Sequence, residues 1–194
     1  MWASEDIRTG SQLLAYIESL APVSQNEVIS TTLSQWMDSN TRLPTSGYGN
    51  PLTINVRCIT PEIMTVLAKN SKWMPRDCLG FSMQELRGES TKTDLTAVFG
   101  AREPHFMLEI LPIVSDMKNL EDANRWGENF LGELKRTNPE NILEGTYISL
   151  TRQSELSLSK IYGPNYGNLL ELKWMYDPND VFSLAIPKLI DRAS

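Results

Sequence analysis

The sequence predicts an α+β fold, an antiparallel β-sheet with helices packed on one face. Three observations carry this. Strand-like runs follow one another across short connections, which favours antiparallel pairing. The run "HFMLEILPIV" alternates, with Phe106, Leu108 and Ile110 on one side and His105, Met107, Glu109 and Leu111 on the other. Amphipathic helical patterns bracket the strands and give the apolar sheet face something to bury against.

Each element has its own signal. Ile7, Leu14 and Ile17 share one face of a helix that starts near Glu5 and ends at Pro22. "EVISTTLSQWMDS" places Ile29, Leu33, Trp36 and Met37 on one side of a second helix. "NTRLPTSGYGNP" carries two Pro and two Gly and reads as a surface loop, with Tyr48 as a candidate flap. "LTINVRCI" is a β-branched strand. Thr60 can cap the next helix, Pro61 suits its first position and Glu62 favours its positive end, over residues 60–70.

"LGFSMQELRG", "LTAVFGA" and "HFMLEILPIV" predict three more strands, with "GESTKTD" as a hairpin connection. Ala123, Phe130 and Leu134 form the stripe of a helix that Asn138-Pro139 stops. "GTYISL" reads as a last strand, followed by a closing helix. The whole reads as one domain over residues 1–194, with N-terminal helices over 1–40 and a core over 50–182.

Composition narrows the function. At 194 residues, 41% hydrophobic and 22% charged, the chain can bury a real core. A net charge of -6 with scattered basic residues argues against nucleic acid and anionic membrane. No apolar run approaches a membrane span, and the acidic start "MWASEDIRTG" lacks a signal-peptide pattern, so a cytoplasmic protein is expected. Met1 before a well-formed helix reads as the start of a short natural protein. Cys58 and Cys78 read as two buried thiols. Trp36, Trp73, Trp126 and Trp174 read as packing residues.

Several chemistries lack their residues. There is no G-x-G-x-x-G, P-loop or G-x-S-x-G, and one histidine supports neither paired metal ligands nor a recognisable triad. What remains is a pocket enzyme using carboxylates, amides and shape, or a binding protein. Glu109, between Leu108 and Ile110, needs a partner or a raised pKa. Arg87 and Arg102 are the expected partners.

Near the end stands "YGPNYGNLLELKWMYDPNDVF". Gly163 permits a tight turn, Pro164 can begin a helix, and Leu169, Leu172 and Tyr176 are expected to face the core before Asp177-Pro178 ends it. The stretch resembles the closing pattern of berberine-bridge-type flavin oxidases of the vanillyl-alcohol-oxidase class. Tyr162, Gly163, Asn165, Leu169, Lys173, Tyr176, Asp177, Pro178 and Phe182 match it. "VFGAREPHFMLEI", through Phe99 and Arg102, and "ANRWGENFLGEL", through Trp126, resemble two further family stretches. The resemblance spans roughly residues 50–182 and implies the family's substrate domain without its flavin domain. Gly100-Ala101, Ser149, Leu150 and Asp180 replace family residues, so no cofactor is expected.

A substrate domain without flavin suggests a cofactor-free cyclase, specifically an intramolecular Diels–Alder catalyst. Such a pocket holds diene and dienophile together and polarises a carbonyl, a contribution of about 2–4 kcal/mol. Glu109, His105 and Tyr147 are the candidate catalytic groups. Phe81, Met83, Gln84, Glu85, Arg87, Met107 and Leu111 are the candidate substrate-binding residues. The expected partner is a small hydrophobic substrate, and an exposed sheet edge would favour a homodimer. The alternatives are an assembly module beside a separate flavin oxidoreductase, a fragment of one, and an acid–base isomerase centred on Glu109.

Overall fold

The computed structural model describes residues 6–20, 31–40, 47–92, 98, 102–145, 147–151, 157–184 and 188–189. The chain divides into two units, residues 1–43 and 44–194. In the first, α1 spans Ile7–Leu20 and α2 spans Leu33–Asn40. The predicted start of the second helix, residues 27–30, lies outside the described residues. Neither Ile7 nor Ile17 is buried, so the apolar stripe of α1 faces outward.

The second unit is an α+β sandwich, as its alternating strands imply. Its strands are β1 (Leu52–Val56), β2 (Cys78–Leu86), β3 (His105–Val114) and β4 (Ile142–Leu143). They form one antiparallel sheet in the order β2-β3-β1-β4. Helices α3 (Pro61–Lys72) and α4 (Leu120–Lys135) cover one face. Helices α5 (Leu158–Tyr162) and α6 (Tyr166–Tyr176) close the described chain.

Local chemistry explains the boundaries. Thr60 Oγ1 accepts from the Ile63 amide at 3.3 Å, with Pro61 next in the first turn, so α3 starts where the sequence places it. The stripe of α4 buries Ala123, Trp126, Phe130, Leu131 and Leu134 against Leu52, Ile54, Leu108 and Ile110. Trp126 Nε1 donates to the Asn70 carbonyl at 3.2 Å, and Lys69 reaches Glu133 at 2.6 Å, tying α4 to α3. Gly49, at φ +133°, runs so close to β3 that a Cβ would meet the Pro112 carbonyl at 2.2 Å.

Several expectations change. "LTAVFGA" lies outside the described residues except Val98, which is not in a strand. "GTYISL" is no strand: Ile148–Leu150 form a 3-10 turn, and β4 lies upstream. The reason is long-range. The Asn55 amide draws the Gly145 carbonyl onto its side chain at 2.8 Å, so the chain leaves the sheet there. Cys58 is exposed, its thiol donating to Asn141 Oδ1 at 3.2 Å. Trp126 packs as expected, whereas Trp73 and Trp174 are exposed. Leu172 and Tyr176 also face outward, whereas Leu169 is half-buried.

Candidate functional site

The sheet face away from α4 carries its polar side chains in cross-strand rows. Direct antiparallel partners share a face. The register therefore sets Ser82, Glu109 and Thr53 in one row, and Gln84, Met107 and Asn55 in the next. Ser82 Oγ donates to Glu109 Oε2 at 2.6 Å. Thr53 and Thr151 hydroxyls meet at 3.2 Å. Asn55, 5% exposed, leaves its Oδ1 without a partner.

This divides the residues nominated from the sequence. Glu109, His105, Met107, Gln84 and Leu111 share the face away from α4. Phe81, Met83, Glu85 and Arg87 belong to the opposite one, because Phe81, Met83 and Glu85 pair across to Ile110, Leu108 and Phe106. Phe81 meets Phe130 edge-on at 5.3 Å, and the Arg87 guanidinium lies 5.2 Å from the Phe106 ring. The partner of Glu109 is thus a hydroxyl, not Arg87, which pairs with Glu85.

His105 is 3% exposed, with Nδ1 2.7 Å from the Glu103 carbonyl. A carbonyl only accepts, so Nδ1 carries the proton. The bond fixes the ring's orientation, with Nε2 left as the acceptor. Tyr147 is 45% exposed before the 3-10 turn rather than on a strand.

A cavity of about 360 Å³ opens at the other end of the sheet, beside β1 and β4. Thr53, Asn55, Leu131, Lys135, Thr151 and Lys160 help to line it, and none of the nominated residues does. Thr53, Asn55, Ser82 and Thr151 were missed. Thr53 and Asn55 had a signal, since they alternate with Leu52, Ile54 and Val56. Thr151 had none.

The closing segment forms a clasp. Lys173 pairs with Asp177 and, at 2.9 Å, with Asp180. Asp177 also accepts from the Val181 and Phe182 amides at 2.7 and 3.1 Å. The Lys173 bond holds the Asp177 carboxyl below its ordinary 3.8, and the Asp177 and Asp180 bonds raise Lys173 above 10.5. The Asp177 contribution is complete above pH 3.8 and is lost as pH falls through its lower folded value. That of Lys173 is complete below pH 10.5 and is lost as pH rises through its higher folded value. Hydrogen exchange of the Val181 and Phe182 amides, corrected for the intrinsic pH effect, is expected to be slowest between these limits. A protection factor that is flat below pH 3.8 would contradict the clasp.

Among the described residues no three His, Cys, Asp or Glu side chains gather as metal ligands, and no helix is long and apolar enough to cross a membrane.

Two comparisons bear on the site. Residues 156–186, which contain the clasp, match the family described as "Berberine and berberine like". The chain is 27% identical over 144 residues to the "FAD-linked oxidoreductase aurO" of Gibberella zeae, covering 71% of this chain. It spans 28% of that relative's length.

Proposed function

We propose that this chain supplies the substrate-side portion of an FAD-linked oxidoreductase, with the flavin held by other polypeptide. One observation carries the reading. The end of the berberine-like segment exposes a set of large apolar side chains: Trp174, Met175, Tyr176, Val181 and Phe182 are 52–79% exposed. Large apolar side chains exposed together in one short segment fit an interface better than a free surface. The clasp holds that surface in one shape.

The cavity beside β1 and β4 is small for a whole FAD. A cavity of about 360 Å³ lies near the small end of ligand pockets, which run roughly 300–1,000 Å³. The role left to this chain is to bind and orient a substrate. On the face away from α4, the half-buried, Ser82-bonded Glu109 side chain accepts a hydrogen bond from a substrate hydroxyl, and the exposed Gln84 offers a donor. The cofactor-free cyclase has no feature of the fold in its favour. Such a site calls for an apolar enclosure, and this face carries Ser82–Glu109 and Thr53–Thr151 polar pairs.

The test is co-expression with flavoprotein chains encoded beside it, followed by sizing with visible absorbance. The expected result is a yellow complex that FAD alone does not produce. Trp174→Asp together with Phe182→Asp should weaken it at least roughly tenfold, as loss of interface anchors does. A colourless chain that ignores every flavoprotein and turns over a diene-aldehyde unaided would replace this reading with the cyclase.

A further inference from the structure

We propose that the β1 edge at Thr53 is a binding site for a small N-acylamino acid, a molecule whose N–H and carboxyl carbon flank one carbon. The parity of the sheet leads there. Tyr48 and Val114 exchange both backbone hydrogen bonds, at 2.8 and 3.0 Å. That marks a close pair of an antiparallel ladder, and close pairs recur at every second residue. The register runs from Tyr48–Val114 through Leu52–Ile110 to Val56–Phe106. Backbone groups of Leu52, Ile54 and Val56 therefore point to β3, and those of Thr53, Asn55 and Arg57 point the other way.

The far side agrees. The Arg57 amide donates to the Asn141 carbonyl at 2.9 Å, and Asn55 pairs with Leu143. By the same register Gly145 would face Thr53. But β4 ends at Leu143, and the Gly145 carbonyl turns to the Asn55 side chain instead. By this parity the Thr53 backbone makes no bond to β3, and among the described residues no partner outside the ladders reaches its N–H or C=O. Thr53 is only 8% exposed, and a buried backbone pair without partners is rare.

The cavity lies on this gap, with Thr53, Glu144 and Gly145 in its lining. In a close antiparallel pair the partner supplies N–H and C=O from one residue, separated by one carbon. An acylamino acid reproduces that spacing, its N–H donating to the Thr53 carbonyl and its carboxylate accepting from the Thr53 amide. The Thr53 and Thr151 hydroxyls stand beside it. Lys135, at the end of α4, lines the same cavity and makes no ion pair among the described residues, which favours an anionic ligand. At this volume the site holds one acylamino unit, not an added strand. Every group belongs to this chain, so the site does not depend on a flavin partner.

The experiment titrates the full ¹⁵N-labelled chain with N-acetyl-L-alanine, with its methylamide, and with N-acetyl-N-methyl-L-alanine. The Thr53 and Gly145 amide signals should move saturably with the first two. The N-methyl compound, which has lost its donor, should bind roughly fivefold or more weakly. The exposed substitution Lys135→Met should weaken the carboxylate probe and spare the methylamide. Unmoved β1 signals, equal binding of the N–H and N-methyl probes, or equal effects of Lys135→Met on both acids and amides would overturn the proposal.

Discussion

Phe130→Ala is expected to destabilise the core unit by about 3–5 kcal/mol, the range for truncating a buried aromatic. Phe130 is wholly buried at the middle of α4. Its ring meets Phe81 at 5.3 Å and Trp126 at 5.5 Å, so one side chain joins the edge strand to its own helix. Truncation leaves a void beside Leu108 and Ile110, held in β3, and Leu134 of the same helix, none of which can collapse far inward. Phe130→Leu keeps most of the volume and should cost about half as much or less. Urea unfolding followed by far-ultraviolet circular dichroism measures both. A loss under about 1 kcal/mol for Phe130→Ala would mean that α4 is not seated on the sheet as described.

Asn141→Ala should cost about 2–4 kcal/mol although it removes no apolar packing. The Asn141 side chain, 5% exposed, acts as a piece of backbone. Its Oδ1 accepts from the Cys58 amide at 3.0 Å and its Nδ2 donates to the Cys58 carbonyl at 2.9 Å. Alanine strands both groups, each at about 1–3 kcal/mol when buried, and part of that is recovered because Cys58 reaches solvent. Asn141→Asp keeps the acceptor and loses the donor, so it should fall between alanine and the native chain near neutral pH. Amide exchange at Cys58 and Arg57 should quicken in both variants. Unchanged exchange there would show that β4 is held by its ladder alone.

The two cases mark what the sequence could disclose. Phe130 stood out because its stripe with Ala123 and Leu134 repeats at the helical period, and burial follows from that pattern. The alternation of β3 likewise separated Glu109 from Ile110, and Thr60-Pro61 marked the start of α3. Asn141 stood out in no such way, because its partner is 83 positions away. The partner of Glu109 turned on cross-strand register, which a strand pattern does not contain. An arginine was chemically apt, but register placed Ser82 there. For α6 the spacing of Leu169, Leu172 and Tyr176 suggests a stripe without saying what it meets, and Leu172 and Tyr176 lie outward in the fold.

The position of β1 between β3 and β4 has a cost during synthesis. Its ladder partners arrive late, Ile110 opposite Leu52 and Leu143 opposite Asn55. At about 5–20 residues per second on the ribosome, Leu52–Val56 wait roughly 3–12 s for β3 and longer for β4. Through that interval a greasy five-residue segment is without its hydrogen-bonding neighbours, the condition under which nascent chains stick to one another. Yield is therefore expected to rise with slower translation or lower temperature.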